Sequence, residues 1–119
     1  MANTFLKLPL SASVDGRSIM LTSTGSSSAV PIHTAPAGTS SLDEIWLYAY
    51  NDSSATINLA LLFGGTTEPN DVIRNTIQPR SGRTLVVDGA ILQNGLIVSA
   101  YAEVANVVTV GGYVHRITP

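Results

Sequence analysis

Apolar and polar residues alternate with a period of two along most of this chain, in short runs closed by Gly, Pro, Ser and Asn. That spacing predicts strands rather than helices. The clearest alternation lies in residues 55–63, where Ile57, Leu59, Leu61 and Phe63 share one parity, and it predicts a core strand. Residues 5–10 alternate too, but Pro9 has no N–H to give a ladder, so this first strand is expected at a sheet edge. Further strands are expected at 17–24, at 30–35 with an interruption at Pro31, at 71–77, 83–87 and 96–101, and at 106–117. Turns are expected at Asp15-Gly16, and Asp88-Gly89 and Asn94-Gly95 carry the residue pairs that favour two-residue hairpins. Residues 25–28 read as a flexible loop and residues 64–70 as the longest polar loop. Gly111-Gly112, inside the last run, predicts a bulge or a close backbone approach.

The stretch Leu42 to Asn51 stands apart because both of its parities are apolar. Ile45, Leu47 and Ala49 occupy one face, and Trp46, Tyr48 and Tyr50 occupy the other. Large aromatics bury roughly 150–250 Å² each, so an uncovered row of three approaches the size of patch that soluble monomers rarely expose. Covering ~500 Å² of such surface is worth on the order of 10 kcal/mol before ordering costs. The stretch is therefore expected to be a central strand near a subunit interface. Eight to nine short strands and no long helix in 119 residues predict a single all-β domain spanning 1–119 with a short N-terminal arm at 1–4. The expected architecture is an antiparallel two-sheet sandwich, jelly-roll-like, with an immunoglobulin-like arrangement as the competing order.

Composition sharpens this picture. Apolar residues make up 45% of the chain and charged residues only 12%, about half the usual charged share, which suits flanks packed against other subunits. Lys7 is the only lysine and the net charge is −2, so there is no basic field for nucleic acid. The absence of cysteine removes disulfides, thiolate metal sites and a Cys nucleophile. The opening residues lack a basic segment followed by a long apolar one, which predicts a product made and kept in the cytosol. No apolar run approaches the ~20 residues of a membrane span.

Chemistry finds little support. No Gly-x-Ser-x-Gly elbow is present, and no local His/Asp spacing fixes an imidazole tautomer, so the chain is not read as an enzyme. His33 and His115 are lone imidazoles on strand-like runs, expected to be hydrogen-bonded structural or interface residues, and neither a metal nor a cofactor is expected. Asp43 and Glu44 point to opposite faces of one strand and cannot act as a paired acid and base; they are expected to end the ladder or to meet an arginine. Arginines 17, 74, 80, 83 and 116 suit bidentate carboxylate pairs between subunits. Gly64-Gly65-Thr66-Thr67 lacks the Lys-Ser/Thr and helix start of a phosphate loop. The row Trp46, Tyr48 and Tyr50, with Glu44, Asn51 and Asp52 beside it, also admits a sugar-stacking platform, although such a row is more often core or interface.

An ordered set of segments resembles a group of small bacteriophage virion proteins that includes capsid cement, decoration and head-fibre proteins. Its carriers are Leu10-Ser11-Ala12-Ser13 with Asp15-Gly16-Arg17, Ile32-His33-Thr34-Ala35, and Ser41 through Ala49. They continue with Gly64-Gly65, Pro69-Asn70-Asp71, Leu92-Gln93-Asn94-Gly95 and Gly112-Tyr113-Val114-His115-Arg116-Ile117. The resemblance implies a homotrimer on the outer surface of the virion near three-fold positions, made in the host bacterial cytoplasm. It would bind the major capsid protein and stabilise the head by spanning several subunits. The alternative it leaves is a receptor- or glycan-binding head-fibre or tail-fibre module. Trp46, Tyr48, Tyr50, Arg83, Tyr113 and Arg116 are the expected subunit-interface residues. Asn3, Thr4 and Phe5, with Thr66, Glu68 and Asn70 of the long loop, are the expected capsid contacts.

Overall fold

A computed structural model describes residues 3–119 and contains two antiparallel sheets packed face to face. The strands are β1 (Thr4–Pro9), β2 (Ile19–Met20), β3 (Val30–Thr34), β4 (Leu42–Asn51), β5 (Ile57–Phe63), β6 (Val72–Ile77), β7 (Thr84–Leu92), β8 (Ile97–Ala102) and β9 (Val108–Thr118). Sheet A has the order β1-β9-β4-β7, with β2 also on β9, and sheet B has the order β3-β8-β5-β6. The partners are nested: β5 pairs β6, β4 pairs β7, β3 pairs β8, and β2 pairs β9. This is one long hairpin rolled up so that every connection except β1–β2 and β5–β6 crosses between sheets, which is the jelly-roll arrangement. Inward parities of both sheets build the core, with Ile45, Leu47, Val110 and Val114 from sheet A facing Leu59, Leu61, Val98 and Ala100 from sheet B.

The central position expected for residues 42–51 holds: β4 lies between β9 and β7, and its side chains alternate strictly between buried and half-buried. The edge position expected for the first strand holds as well, since β1 pairs β9 alone. Thr4, expected within the short N-terminal arm at 1–4, is instead the first paired residue of β1, opposite Thr118. Met1 and Ala2 lie outside the described residues.

Three local expectations need correction. Residues 17–24 form only the two-residue strand β2, although Leu21 is fully buried and exchanges backbone bonds with Val108 and Asn106. Residues 26–28 close into one 3-10 turn rather than an open loop. Asp88-Gly89 is not a hairpin turn. Ile45 faces Ala90 whereas Trp46 faces Asp88, so Gly89, at φ +85°, is the extra residue of a bulge inside β7. A second register shift follows at Val86. The Asn94-Gly95 turn does form, with both residues at positive φ as the mirror-image type I turn demands.

Gly112 is a place where the backbones meet. A Cβ there would stand 2.0 Å from the Trp46 carbonyl oxygen, and its φ of +150° is one that other residues rarely adopt. The close approach expected from Gly111-Gly112 is thus real, and it draws β9 against β4 beneath the aromatic row.

Candidate functional site

The outward face of sheet A is the most distinctive surface of the molecule. Register places Trp46 opposite Tyr113, Glu44 opposite His115, and Lys7 opposite His115 on the far side, so that β1, β9, β4 and β7 present one continuous patch. Trp46 and Tyr113 have ring centroids 6.3 Å apart at an interplanar angle of 18°, and Tyr113 lies 5.3 Å from His115. The indole ring rests on Gly89, whose missing Cβ would come within 3.0 Å of it, so the bulge in β7 is the seat of Trp46. Glu44 Oε1 accepts bonds from both Trp46 Nε1 and His115 Nδ1 at 3.1 Å. Those two bonds hold the Glu44 carboxyl below its ordinary value.

Charge covers parts of the row. Lys7 Nζ lies 4.4 Å from the Tyr113 ring centroid, and the Arg83 guanidinium lies 4.9 Å from that of Tyr48. Tyr50 at the far end donates to Asp52, a bond that raises its phenol. Around this half-buried centre stand large apolar side chains in water: Phe5 is 66% exposed, Ile91 57% and Leu85 46%. Hydrogen-bonded polar groups and cation–π contacts at the centre, with exposed apolar groups at both flanks, resemble a face awaiting a partner more than a finished monomer surface.

Beneath the same face lies a polar cluster that no local spacing announces. Asp43 is fully buried between the sheets, where Arg116 Nε and Nη2 donate to its two oxygens at 2.8 and 2.9 Å. His33 Nε2 meets Asp43 Oδ2 at 2.5 Å, and the Ser11 amide donates to His33 Nδ1 at 2.9 Å. A backbone N–H leaves Nδ1 only an acceptor role, so the proton sits on Nε2 and points at the carboxylate. Both ring nitrogens are committed, which leaves neither to take a proton from a substrate. Burial pushes the Asp43 carboxyl up, but the bonds from Arg116 and His33 outweigh it and hold the group below its ordinary value. The same bidentate contact raises the Arg116 guanidinium.

His33 reaches this position through a bulge in β3. Pro31 faces Ser99 and His33 faces Val98, which leaves Ile32 unpaired and turns both Ile32 and His33 inward. The cluster therefore ties β3 of sheet B to β4 and β9 of sheet A and to the segment after β1.

Of the residues expected at a subunit interface, Trp46, Tyr48, Tyr50, Arg83 and Tyr113 are gathered on the outer face of sheet A, and Arg116 is not. It is committed to Asp43 within the chain and its side chain is 31% exposed. Arg74 and Arg80 also have intrachain partners, Glu68 and Asp52. The residues expected to contact a capsid fall in two places: exposed Asn3, Thr4 and Phe5 at the β1 edge, and exposed Thr66, Glu68 and Asn70 in the β5–β6 loop. Among the described residues no group of three or more His, Asp or Glu is arranged to hold a metal ion, and no helix is long and apolar enough to cross a membrane. Comparison with known protein families, with characterised proteins and with solved structures gives no match to this chain.

Proposed function

We propose that this protein is a structural assembly module of a bacteriophage head, a cement protein whose copies associate as a trimer through the outer face of sheet A. The observation that carries the assembly reading is the exposure of Phe5, Ile91 and Leu85 around the half-buried pair Trp46 and Tyr113 on one sheet face. The virion setting comes from the resemblance of the sequence segments, and the low charge content agrees with a surface built for neighbours. In this reading the exposed residues of the β1 edge and of the β5–β6 loop reach the major capsid protein. Three linked copies convert a weak footprint into firm attachment, because later contacts become intramolecular.

A receptor- or glycan-binding role for the same aromatic row fits less well, since Lys7 and Arg83 already lie over the faces of Tyr113 and Tyr48. Light scattering of the purified chain, paired with sedimentation of undecorated heads, tests the proposal. A concentration-dependent trimer that co-sediments with heads is expected. A stable monomer that leaves the heads bare would overturn it.

A further inference from the structure

Sheet B has an outer face of its own, and it carries a half-open trough of about 450 Å³. Ala60 of β5 lies between Tyr101 of β8 and Arg74 of β6 in one cross-strand row, and Asn58 faces Thr76 in the next. The methyl of Ala60 is too small to fill the space between a tyrosine and an arginine, so it forms a floor with Tyr101 on one side and Arg74 on the other. The volume falls within the roughly 300–1,000 Å³ of small-molecule sites.

The polar walls are fixed before any ligand arrives. Thr76 Oγ1 donates to Asn58 Oδ1 at 3.2 Å, and the Asn58 backbone N–H donates to Glu103 Oε1 at 2.8 Å. These bonds orient a planar amide and a planar carboxylate, and they leave the Asn58 amide nitrogen, the second Glu103 oxygen and the Tyr101 hydroxyl for a ligand. The Arg74 charge is matched by Glu68, while Glu103 stands at the rim, so the field does not favour an anion. One aromatic ring, two fixed planar hydrogen-bonding groups and no net positive charge match a neutral ligand with an apolar C–H face and several hydroxyls.

We propose that the trough formed by Asn58, Ala60, Arg74, Thr76, Tyr101 and Glu103 binds a neutral saccharide, with the sugar ring against Tyr101 and its hydroxyls on Asn58 and Glu103. The site lies on the sheet opposite to the assembly face and does not depend on it. In the proposed trimer, three such sites point away from the shared contact.

Titration of the full chain with maltose, lactose, cellobiose and di-N-acetylchitobiose, followed by amide chemical shifts, tests this. Saturable shifts confined to the trough are expected with at least one of these sugars. Tyr101→Ala and Asn58→Ala should each weaken binding by about tenfold or more, while Tyr101→Phe keeps most of it and Trp46→Ala leaves it unchanged. If Tyr101→Ala unfolds, Glu103→Gln, at an exposed position, provides the same readout, and unaltered affinity there would overturn the proposal. No saturable shift with any of the sugars, or shifts centred on Trp46 and Tyr113, would also overturn it. A monomer that binds sugar refutes the assembly reading alone, and a trimer that binds none refutes the saccharide site alone.

Discussion

Substituting Asp43 is the most informative perturbation of this fold. Asp43→Asn keeps the size of the side chain but removes its charge and offers an N–H₂ where either Arg116 or His33 now finds an acceptor. Breaking a buried pair from one side costs about 3–5 kcal/mol, because the surviving charge stays desolvated. Arg116 is 31% exposed, so water relieves part of that cost; the lower figure of ~2–3 kcal/mol is expected. At about 4 °C per kcal/mol for a domain of this size, the melting temperature should fall by roughly 10 °C. Urea unfolding followed by the fluorescence of Trp46, the only tryptophan, gives the free energies. Measuring Asp43→Asn, Arg116→Gln and the double variant isolates the coupling, expected at ~1–3 kcal/mol. Replacing His33, Asp43 and Arg116 together by Leu, Leu and Met should cost less than Asp43→Asn alone, since no charge is then left unpaired. A coupling below ~0.5 kcal/mol would refute the view that the bidentate pair is what fastens β9 to β4 at this end.

Gly112→Ala should destabilise by more than ~3 kcal/mol, because its Cβ collides with the Trp46 carbonyl. Gly38→Ala, at φ +79° but with open space around it, should cost only the left-handed penalty of ~1–2 kcal/mol, and equal losses at both sites would discredit the close-approach argument. Trp46→Ala should weaken self-association while leaving the monomer folded; light scattering that shows an unchanged oligomer would remove Trp46 from the interface. Asp43 and Glu44 are both held below their ordinary values in the fold. The unfolded chain therefore binds more protons in the acid range, so their stabilisation is present above about pH 4–5 and is lost as pH falls through their folded values. The urea midpoint should drop below about pH 4 and do so less steeply in Asp43→Asn; parallel profiles would contradict the assignment.

Much of the architecture was legible in the sequence because burial follows parity. The alternation of β4 and β5 and the proline in β1 are enough to place a centre, a core strand and an edge. Asp88-Gly89 misled for a physical reason: the same pair suits a hairpin turn and a glycine bulge, both of which need positive φ. Only the partner strand, where Ile45 and Trp46 skip a residue, tells the two apart. Residues 17–24 had strand composition, but the regular register with β9 ends at Met20: Leu21 keeps backbone bonds to Val108 and Asn106 and turns its side chain into the core, and the residues on either side of this short stretch run outside the ladder. An arginine partner for Asp43 and a hydrogen-bonded structural role for His33 were expected, and both are present; which arginine, and that His33 and Asp43 share one cluster, stayed hidden because the members come from three strands and the β3 bulge that aims His33 inward leaves no compositional mark. The saccharide trough was equally hidden, since its residues look like ordinary polar positions until β5, β6 and β8 are set side by side.

The nested pairing also fixes an order of events for the chain as it folds. Leu62 and Val72 of the innermost pair are near neighbours in sequence, whereas Thr4 and Thr118 of the outermost are separated by almost the whole chain. Loop-closure entropy therefore favours β5–β6 first, then β4–β7 and β3–β8, with β1 and β2 docking on β9 last. Core substitutions in β5 or β6 should slow refolding, whereas substitutions in β1 should mainly speed unfolding. Until β1 arrives, the long outer edge of β9 is an open ladder beside the aromatic row. The interval before closure is thus the moment at which copies of this chain are most prone to pair through the wrong edge.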